Sequence, residues 1–318
     1  MDYWYICKIK IEIMAVIGID LGGTKVAAAM FHADGKMLLK ENKLLNGATG
    51  TAVADLVVDV IKTLIAKKPD THIDAIGICI PGIVYSKRET VWAPNIPGWE
   101  NFPLKNHIAK ELNDKHVKIC IESDRTCYIL GEAWKGAAKG CSDAIYLAVG
   151  TGIGAGILLD GRIIHGSNDI VGATGWMALE PPYKEEFIPV GCFEYYASGN
   201  GIGTQAKLMY NDPSKTSYDV FAGYGSDPVA TKILDKAIMM WGMGTANLVS
   251  LFNPEKVIFG GGVFGPAVKF IDRIYAEACK WGQPISMKDV IFCASEIEGE
   301  AALLGATALA IRAINPLD

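Results

Sequence analysis

The sequence lacks several features that would each have named a function class. No two of its eight cysteines stand as Cys-x-x-Cys; Cys7, Cys79, Cys120, Cys127, Cys141, Cys192, Cys279 and Cys293 are scattered, mostly inside apolar runs. That distribution offers no disulfide framework or metal-ligand pair, and reads as reduced, small core residues of a cytoplasmic protein. No run of Lys and Arg occurs and the formal net charge is −5, which argues against nucleic acid or an anionic membrane as partner. No uninterrupted apolar stretch reaches the roughly 18–20 residues that span a bilayer. The opening Met1–Lys8 has no basic region, apolar core and small-residue cleavage site, so no signal peptide is expected. Met14 directly precedes the first hydrophobic run and is an alternative start, which would make residues 1–13 an extension without a role. Low-complexity and Pro/Ser-rich linkers are also missing. So is the Gly-x-x-x-x-Gly-Lys-[Ser/Thr] signature of a P-loop.

What is there is glycine in a repeated context. The chain has 318 residues, 50% of them hydrophobic, and 35 glycines. That length suits two domains better than one. Val16-Ile17-Gly18-Ile19-Asp20-Leu21-Gly22-Gly23-Thr24-Lys25-Val26 is an apolar run, a glycine turn and a second run. Ile145–Ile157 repeats the pattern around Gly150-Thr151-Gly152-Ile153-Gly154. Each hairpin is followed by a third strand, near 37–42 and 162–165. Asp34-Gly35 and Asp160-Gly161 supply the turns. Between the two meanders the periodicity predicts a helix over 52–67, a strand over 73–81, a helix over 104–112, a strand over 117–122 and a helix over 124–136. Helices at 228–251, 267–279 and 301–314 and a strand at 257–259 follow the second meander.

Glycine lets a backbone take positive φ and lets its N–H groups approach an anion. Each turn alone reads equally as an ordinary tight hairpin. Two of them, plus a third cluster at Gly260-Gly261-Gly262, favour a polyphosphate clamp of turn amides, the Thr24 and Thr151 hydroxyls and the Lys25 ammonium. A dinucleotide fold is excluded because Gly150-x-Gly152-x-Gly154 leads into a strand, where that fold needs a helix N-terminus. Asp20, at the mouth of the first turn, suits a magnesium ion held through water, since magnesium keeps several of its waters. Asp124, in Ile121-Glu122-Ser123-Asp124-Arg125, stands where a strand runs into a helix. From the residues alone it reads equally as a general base or, like Ser123, as a helix N-cap. An Asp20–Asp124 glycosidase pair would leave the glycine turns without a purpose.

The motifs resemble those of the ROK family (repressors, open reading frames and sugar kinases) of the actin-like ATPase superfamily. Ile19–Lys25 resembles the first phosphate motif, Val149–Gly154 the second, and Val257–Val263 the adenosine-side motif. Pro94-Asn95-Ile96-Pro97-Gly98-Trp99 resembles the sugar loop, and Cys192–Gly199 the segment after the family's zinc site. The resemblance runs in order over nearly the whole chain from Met14. It implies an α/β fold of two actin-like (ribonuclease H-like) lobes with a cleft between them. The first lobe would hold residues 14–122 plus the C-terminal helix at about 301–318, and the second 123–300.

It also implies ATP- and Mg2+-dependent phosphorylation of a hexose in a cytoplasmic homodimer, with Asp124 as catalytic base. Asp20, Gly22, Gly23, Thr24, Lys25, Gly150, Thr151, Gly152, Gly260, Gly261 and Gly262 would bind nucleotide, with Asp20 on the magnesium. Gly82, Asn95, Ser123, Glu194, Ala173 and Trp176 would line the sugar. Trp92 and Trp99 flank Asn95 and read equally as sugar platforms or as core.

Three departures bear on the substrate. The family's asparagine before the aspartate is Ser123. Its Gly-Glu-x-Gly-His reads Gly172-Ala173-Thr174-Gly175-Trp176. Its Cys-x-Cys-Gly-x-x-Gly-Cys is reduced to Val190-Gly191-Cys192. A four-coordinate zinc needs several Cys or His ligands, so no zinc is expected and the loop Pro181–Phe187 should replace it by packing. The lost glutamate and histidine face C1–C2 of the sugar in typical members. Ala and Trp there imply a modified hexose, phosphorylated at C6 by analogy, unless Trp176 merely fills the space of the zinc loop. A DNA-binding repressor is not expected, because the 15 residues before Val16 are too few for a helix-turn-helix motif. A catalytically weak or inactive sugar or nucleotide sensor is the alternative.

Overall fold

The computed structural model describes residues 14–32, 34–297 and 299–315; the extension reading of residues 1–13, with Cys7, lies outside them. The described residues divide into two compact units. Those up to Glu122 together with those from Ala306 onward form the first, and Ser123–Gly305 form the second.

The first unit is built on the meander β1 (Met14–Leu21), β2 (Lys25–His32) and β3 (Met37–Leu44). After it come α1 (Thr51–Lys67), β4 (His72–Ile80), β5 (Ile83–Tyr85), β6 (Thr90–Trp92), α2 (Leu104–Leu112) and β7 (Lys118–Ser123). The sheet order is β3-β2-β1-β4-β7, antiparallel between β3, β2 and β1 and parallel between β1 and β4. β1 is central, which is why Ala15, Val16, Ile17 and Ile19 are all fully buried rather than alternating. In α1, Val53, Val57, Val60, Ile61 and Leu64 are buried and lie at helical spacing, so one face of the helix covers the sheet.

The second unit repeats the grammar. α3 (Asp124–Lys135) precedes β8 (Ala144–Val149), β9 (Ile153–Leu159) and a two-residue β10 (Arg162–Ile163). A helical block follows: α4 (Cys192–Ala197), α5 (Gly199–Tyr210), α6 (Ser217–Gly223) and α7 (Pro228–Phe252). Then come β11 (Lys256–Gly260), α8 (Phe264–Ala267), α9 (Ile271–Ala278), α10 (Pro284–Asp289), β12 (Ile291–Ala294) and α11 (Ala301–Ile314). The sheet order β10-β9-β8-β11-β12 matches the first sheet position for position. Again the meander is antiparallel and the crossovers parallel. Both are ribonuclease H-like sheets. α7 begins cleanly because the Asp227 carboxylate accepts from the Val229 and Ala230 N–H groups and Pro228 occupies the first turn.

Two expectations change. The helix expected over 267–279 is broken into α8, a 3₁₀ turn at Val268–Phe270 and α9. The cysteines among the described residues are free, but Cys279 is exposed rather than core. No helix of the described residues is long and apolar enough to cross a membrane.

Candidate functional site

In the first unit the β1–β2 turn is open. Leu21 pairs with Val26, and the Gly22 N–H donates to the Lys25 carbonyl at 2.9 Å. Gly23, Thr24 and Lys25 are exposed, and Asp20 is half-buried at the strand end. A Cβ on Gly23 would meet only the Asn95 Cβ, at 3.9 Å. The fold therefore brings the loop carrying Asn95 beside the β1–β2 turn. Neither Gly22 nor Gly23 takes positive φ, so the expected conformational reason for glycine does not apply here; what it provides is bare backbone.

Gly82 is glycine for packing, since a Cβ there would lie 2.0 Å from the Trp92 carbonyl. Trp99 is core: it is buried, donates from Nε1 to the Gly50 carbonyl at 2.9 Å and stacks on Phe102 at 4.8 Å. Trp92 is partly exposed.

In the second unit three segments converge on the end of β8. Val149 pairs with Ile153 across Gly150-Thr151-Gly152. The Val263 N–H donates to the Val149 carbonyl at 3.0 Å, which ties the Gly260-Gly261-Gly262 turn to the hairpin. The Gly199 and Asn200 N–H groups, opening α5, donate to the Gly150 and Thr151 carbonyls at 2.7 and 3.3 Å. Ser198 caps α5 through the Gly201 N–H.

The glycines divide by cause. Gly260 faces the Tyr146 hydroxyl, 1.8 Å from where a Cβ would be, and Gly261 has φ +88°. Gly150 and Gly262, with negative φ and nothing within 4 Å, are demanded by no contact inside the protein. They leave a cradle that a side chain would fill, which fits a phosphate chain drawn against backbone amides. Beside it lies a polar recess of about 440 Å³ lined by Asn200, Thr204, Lys207, Lys215 and Thr216. The recess has no contiguous signature in the sequence, because its residues come from α5, which opens on Gly-Asn-Gly, and from the segment 215–218.

Asp124 is the first residue of α3. The cap is Ser123, whose Oγ accepts from the Thr126 N–H at 3.4 Å and pairs with the Thr126 hydroxyl at 3.0 Å. The capping role left open for Asp124 is thus filled by its neighbour. Its Oδ1 accepts the Arg125 N–H at 2.7 Å. Burial pushes its carboxyl above the ordinary aspartate range, against the pull of that N–H and of the Arg125 charge.

Glu194, in α4, accepts the Ile153 N–H at 2.7 Å. Burial raises its carboxyl too, opposed by that bond. Its carboxylate is seated by two glycines: a Cβ on Gly152 would come within 2.6 Å of Oε2, and one on Gly175 within 2.9 Å. The β8–β9 hairpin and this carboxylate are therefore in direct contact. Ala173 leads the 3₁₀ turn Thr174–Trp176, and Trp176 is 56% exposed. Phe187 packs edge-on with Tyr195 and Tyr196, ring centroids 5.4 and 5.8 Å away, and the Lys184 ammonium donates to the Tyr196 hydroxyl at 2.6 Å.

Asp20 offers a single carboxylate, which suits a magnesium that keeps its water shell. Among the described residues no group of three or more His, Cys, Asp or Glu side chains is placed to hold a metal.

Comparison with known proteins gives the context of this arrangement. The ROK family model matches residues 16–313. A glucokinase of Halalkalibacterium halodurans is 30% identical over 82% of this chain and 81% of its own length. A xylose repressor of Caldicellulosiruptor bescii is 28% identical over 96% of this chain and 80% of its own. The crystal structure of a ROK hexokinase from Thermus thermophilus superposes with a TM-score of 0.82 at 28% identity, covering 95% of this chain and 99% of that one. The chain belongs to the ROK family, with the actin-like fold.

Proposed function

We propose that this ROK-family chain transfers the γ-phosphoryl group of ATP to a hydroxyl, the C6 hydroxyl, of a hexose or modified hexose. The observation that carries the reading is Asp124: a carboxylate at a helix start, relieved of capping by Ser123 and raised in pKa by burial. A base is most effective when its pKa approaches the working pH. Asp124 would accept the proton of the sugar hydroxyl as that oxygen bonds to phosphorus and the bond to ADP breaks. Phosphoryl transfer needs chiefly positioning and charge stabilisation. The bare turns at Gly22–Thr24, Gly150–Gly152 and Gly260–Gly262 supply backbone amides to the phosphates, with the Thr24 and Thr151 hydroxyls and the Lys25 ammonium. Asp20 would hold a Mg2+ through water, and that ion neutralises phosphate charge.

Glu194 and Asn95 would orient sugar hydroxyls between walls that include Gly82, Ser123, Ala173 and Trp176. With Ala173 and Trp176 in it, the C1–C2 end is recognised apolarly. The chain would act in the cytoplasm as a homodimer of two-domain subunits, with a small-molecule sugar and neither DNA nor membrane as partner.

The test is ADP release with ATP and Mg2+ over a panel of hexoses, amino sugars, N-acetylated sugars, deoxy sugars and polyols, with Asp124→Asn alongside. A hit abolished by the substitution supports the reading. A hit that survives it removes Asp124 from catalysis. The match to a xylose repressor favours one second reading, a sugar sensor; ATP and sugar binding without any ADP release would choose it.

A further inference from the structure

Glu194 shares its helix with a residue that faces the other way. α4 is six residues long, too short to hold itself by its own backbone hydrogen bonds. Its setting comes from what its side chains meet. Phe193, Tyr196 and Ala197 are buried at helical spacing. On the α7 side, a Cβ on Gly244 would come within 2.8 Å of the Phe193 ring, and the Trp241 Nε1–H donates to the Ala197 carbonyl at 3.0 Å. Those contacts fix where the helix lies. Tyr196 follows Glu194 by two residues, about 200° around the axis at 3.6 residues per turn. The two side chains are opposite handles: a roll of α4 that moves one moves the other.

Tyr196 is clamped from three directions. The Lys184 ammonium donates to its hydroxyl at 2.6 Å and lies 5.3 Å from its ring centroid. The Lys236 ammonium, from α7, also lies 5.3 Å from that centroid. Phe187 and Tyr195 pack edge-on against the same ring. Lys236 is in turn ion-paired with Glu180, and the two side chains are only 29 and 30% exposed. A half-buried ammonium deprived of its carboxylate would be costly, so the pair keeps Lys236 in place. The loop 180–187, α4 and α7 thus meet at one phenol ring. At the opposite handle, the Glu194 carboxylate accepts the Ile153 N–H at 2.7 Å.

We propose that Tyr196 is a positioning residue: clamped by Lys184 and by the Glu180–Lys236 pair, it fixes the roll of α4 and so sets the Glu194 carboxylate on the Ile153 N–H, where a sugar hydroxyl would meet it. The last step alone rests on the proposed function, in which Glu194 contacts the sugar.

Solution NMR of the whole protein reads the first step without a ligand. Tyr196→Phe and Lys184→Met both leave the aromatic packing in place. Hydrogen exchange of the Ile153 amide should quicken at least about fivefold in each, while the amides of β1 and β2 stay as in wild type. The sugar step is read in steady-state kinetics with the panel hexose that turns over fastest. Tyr196→Phe should raise the KM for that sugar at least about threefold and leave the KM for ATP unchanged. The same substitution added to Glu194→Gln should change nothing further, because both act through one carboxylate.

An Ile153 amide unmoved in both variants overturns the inference. So does a rise of the sugar and ATP KM values together, or full additivity with Glu194→Gln. The readouts also part from the proposed function. An Ile153 amide that responds, with no turnover of any panel sugar, removes the kinase and keeps the clamp. A sugar KM raised by Glu194→Gln and untouched by Tyr196→Phe does the reverse.

Discussion

The two glycine hairpins share a sequence pattern and a place in their sheets, yet they are held in different ways. The β1–β2 turn is exposed and has Asn95 as its one near neighbour at Gly23, at 3.9 Å. The β8–β9 turn is one residue shorter between its closing pairs. It is bonded to the start of α5 through two carbonyls, tied to the Gly260–Val263 turn through Val149, and pressed against Glu194 at Gly152. A duplicated architecture has thus left one turn exposed, held by the Leu45 N–H on the Thr24 carbonyl at 2.9 Å, and made the other a junction of several segments. In the second unit the hairpin meets a carboxylate directly, Gly152 against Glu194. Rigidity there has a use: a misplaced reacting group costs rate steeply.

The largest expected effect lies at Asp124, the proposed catalytic base, in the second unit. Asp124→Asn should lower kcat by about 10²–10⁴-fold, measured by ADP release. Loss from a first-unit variant such as Lys25→Met equal to this would break the asymmetry.

Next come the glycines of one cluster. Gly260→Ala, which meets the Tyr146 hydroxyl in a buried strand end, should cost about 1–3 kcal/mol in chemical denaturation. Gly262→Ala, with nothing within 4 Å, should stay within about 0.5 kcal/mol of wild type and weaken only nucleotide binding.

The paired change Gly152→Ala and Gly23→Ala sharpens the comparison directly. The first must displace the Glu194 carboxylate, raising KM for sugar, whereas the second should alter nucleotide affinity alone. Steady-state kinetics in both substrates would show it.

The smallest effect concerns pH. Burial raises the Asp124 carboxyl, so its stabilising contribution is full at low pH and is lost as pH rises through the folded-state value. Asp124→Asn lacks that loss. Its melting temperature should therefore fall less than that of wild type between pH 4 and pH 8. Conversely kcat/KM, which needs the ionised base, should fall on the acid side with a midpoint above the ordinary aspartate value of about 3.9.

Much of this was legible from residues. Both meanders, α1, α3, α7, β11 and the start of α11 follow from strong apolar periodicity, helped at α3 and α7 by the caps Ser123 and Asp227. β5 and β6 have three residues each, too short for a period to be seen, and β12 (Ile-Phe-Cys-Ala) has only four. The block α4–α6 escaped because its helices are 6, 12 and 7 residues long and α5 opens with glycines, the poorest ordinary helix formers. Of the site, Asp124 and the glycine turns could be named because they are contiguous motifs. The seat of Glu194 could not, since it brings Gly152 and Ile153 of one segment and Gly175 of another against α4. The exposure of Trp176 was equally hidden, because a sequence does not say which side of a short 3₁₀ turn faces solvent.

The division of the chain inside α11 has a consequence for synthesis. Gly77, in the middle of β4, packs so closely on that helix that a Cβ would lie 1.9 Å from the Ala306 carbonyl, and Ala306 and Ala310 are fully buried. The first unit is therefore missing a part of its interior until residues 306–315 are in place, and the second needs the start of the same helix, since a Cβ on Gly305 would lie 1.7 Å from the Cys127 carbonyl. Domains fold as units, so neither unit can close its interior until the one helix that completes both has been made.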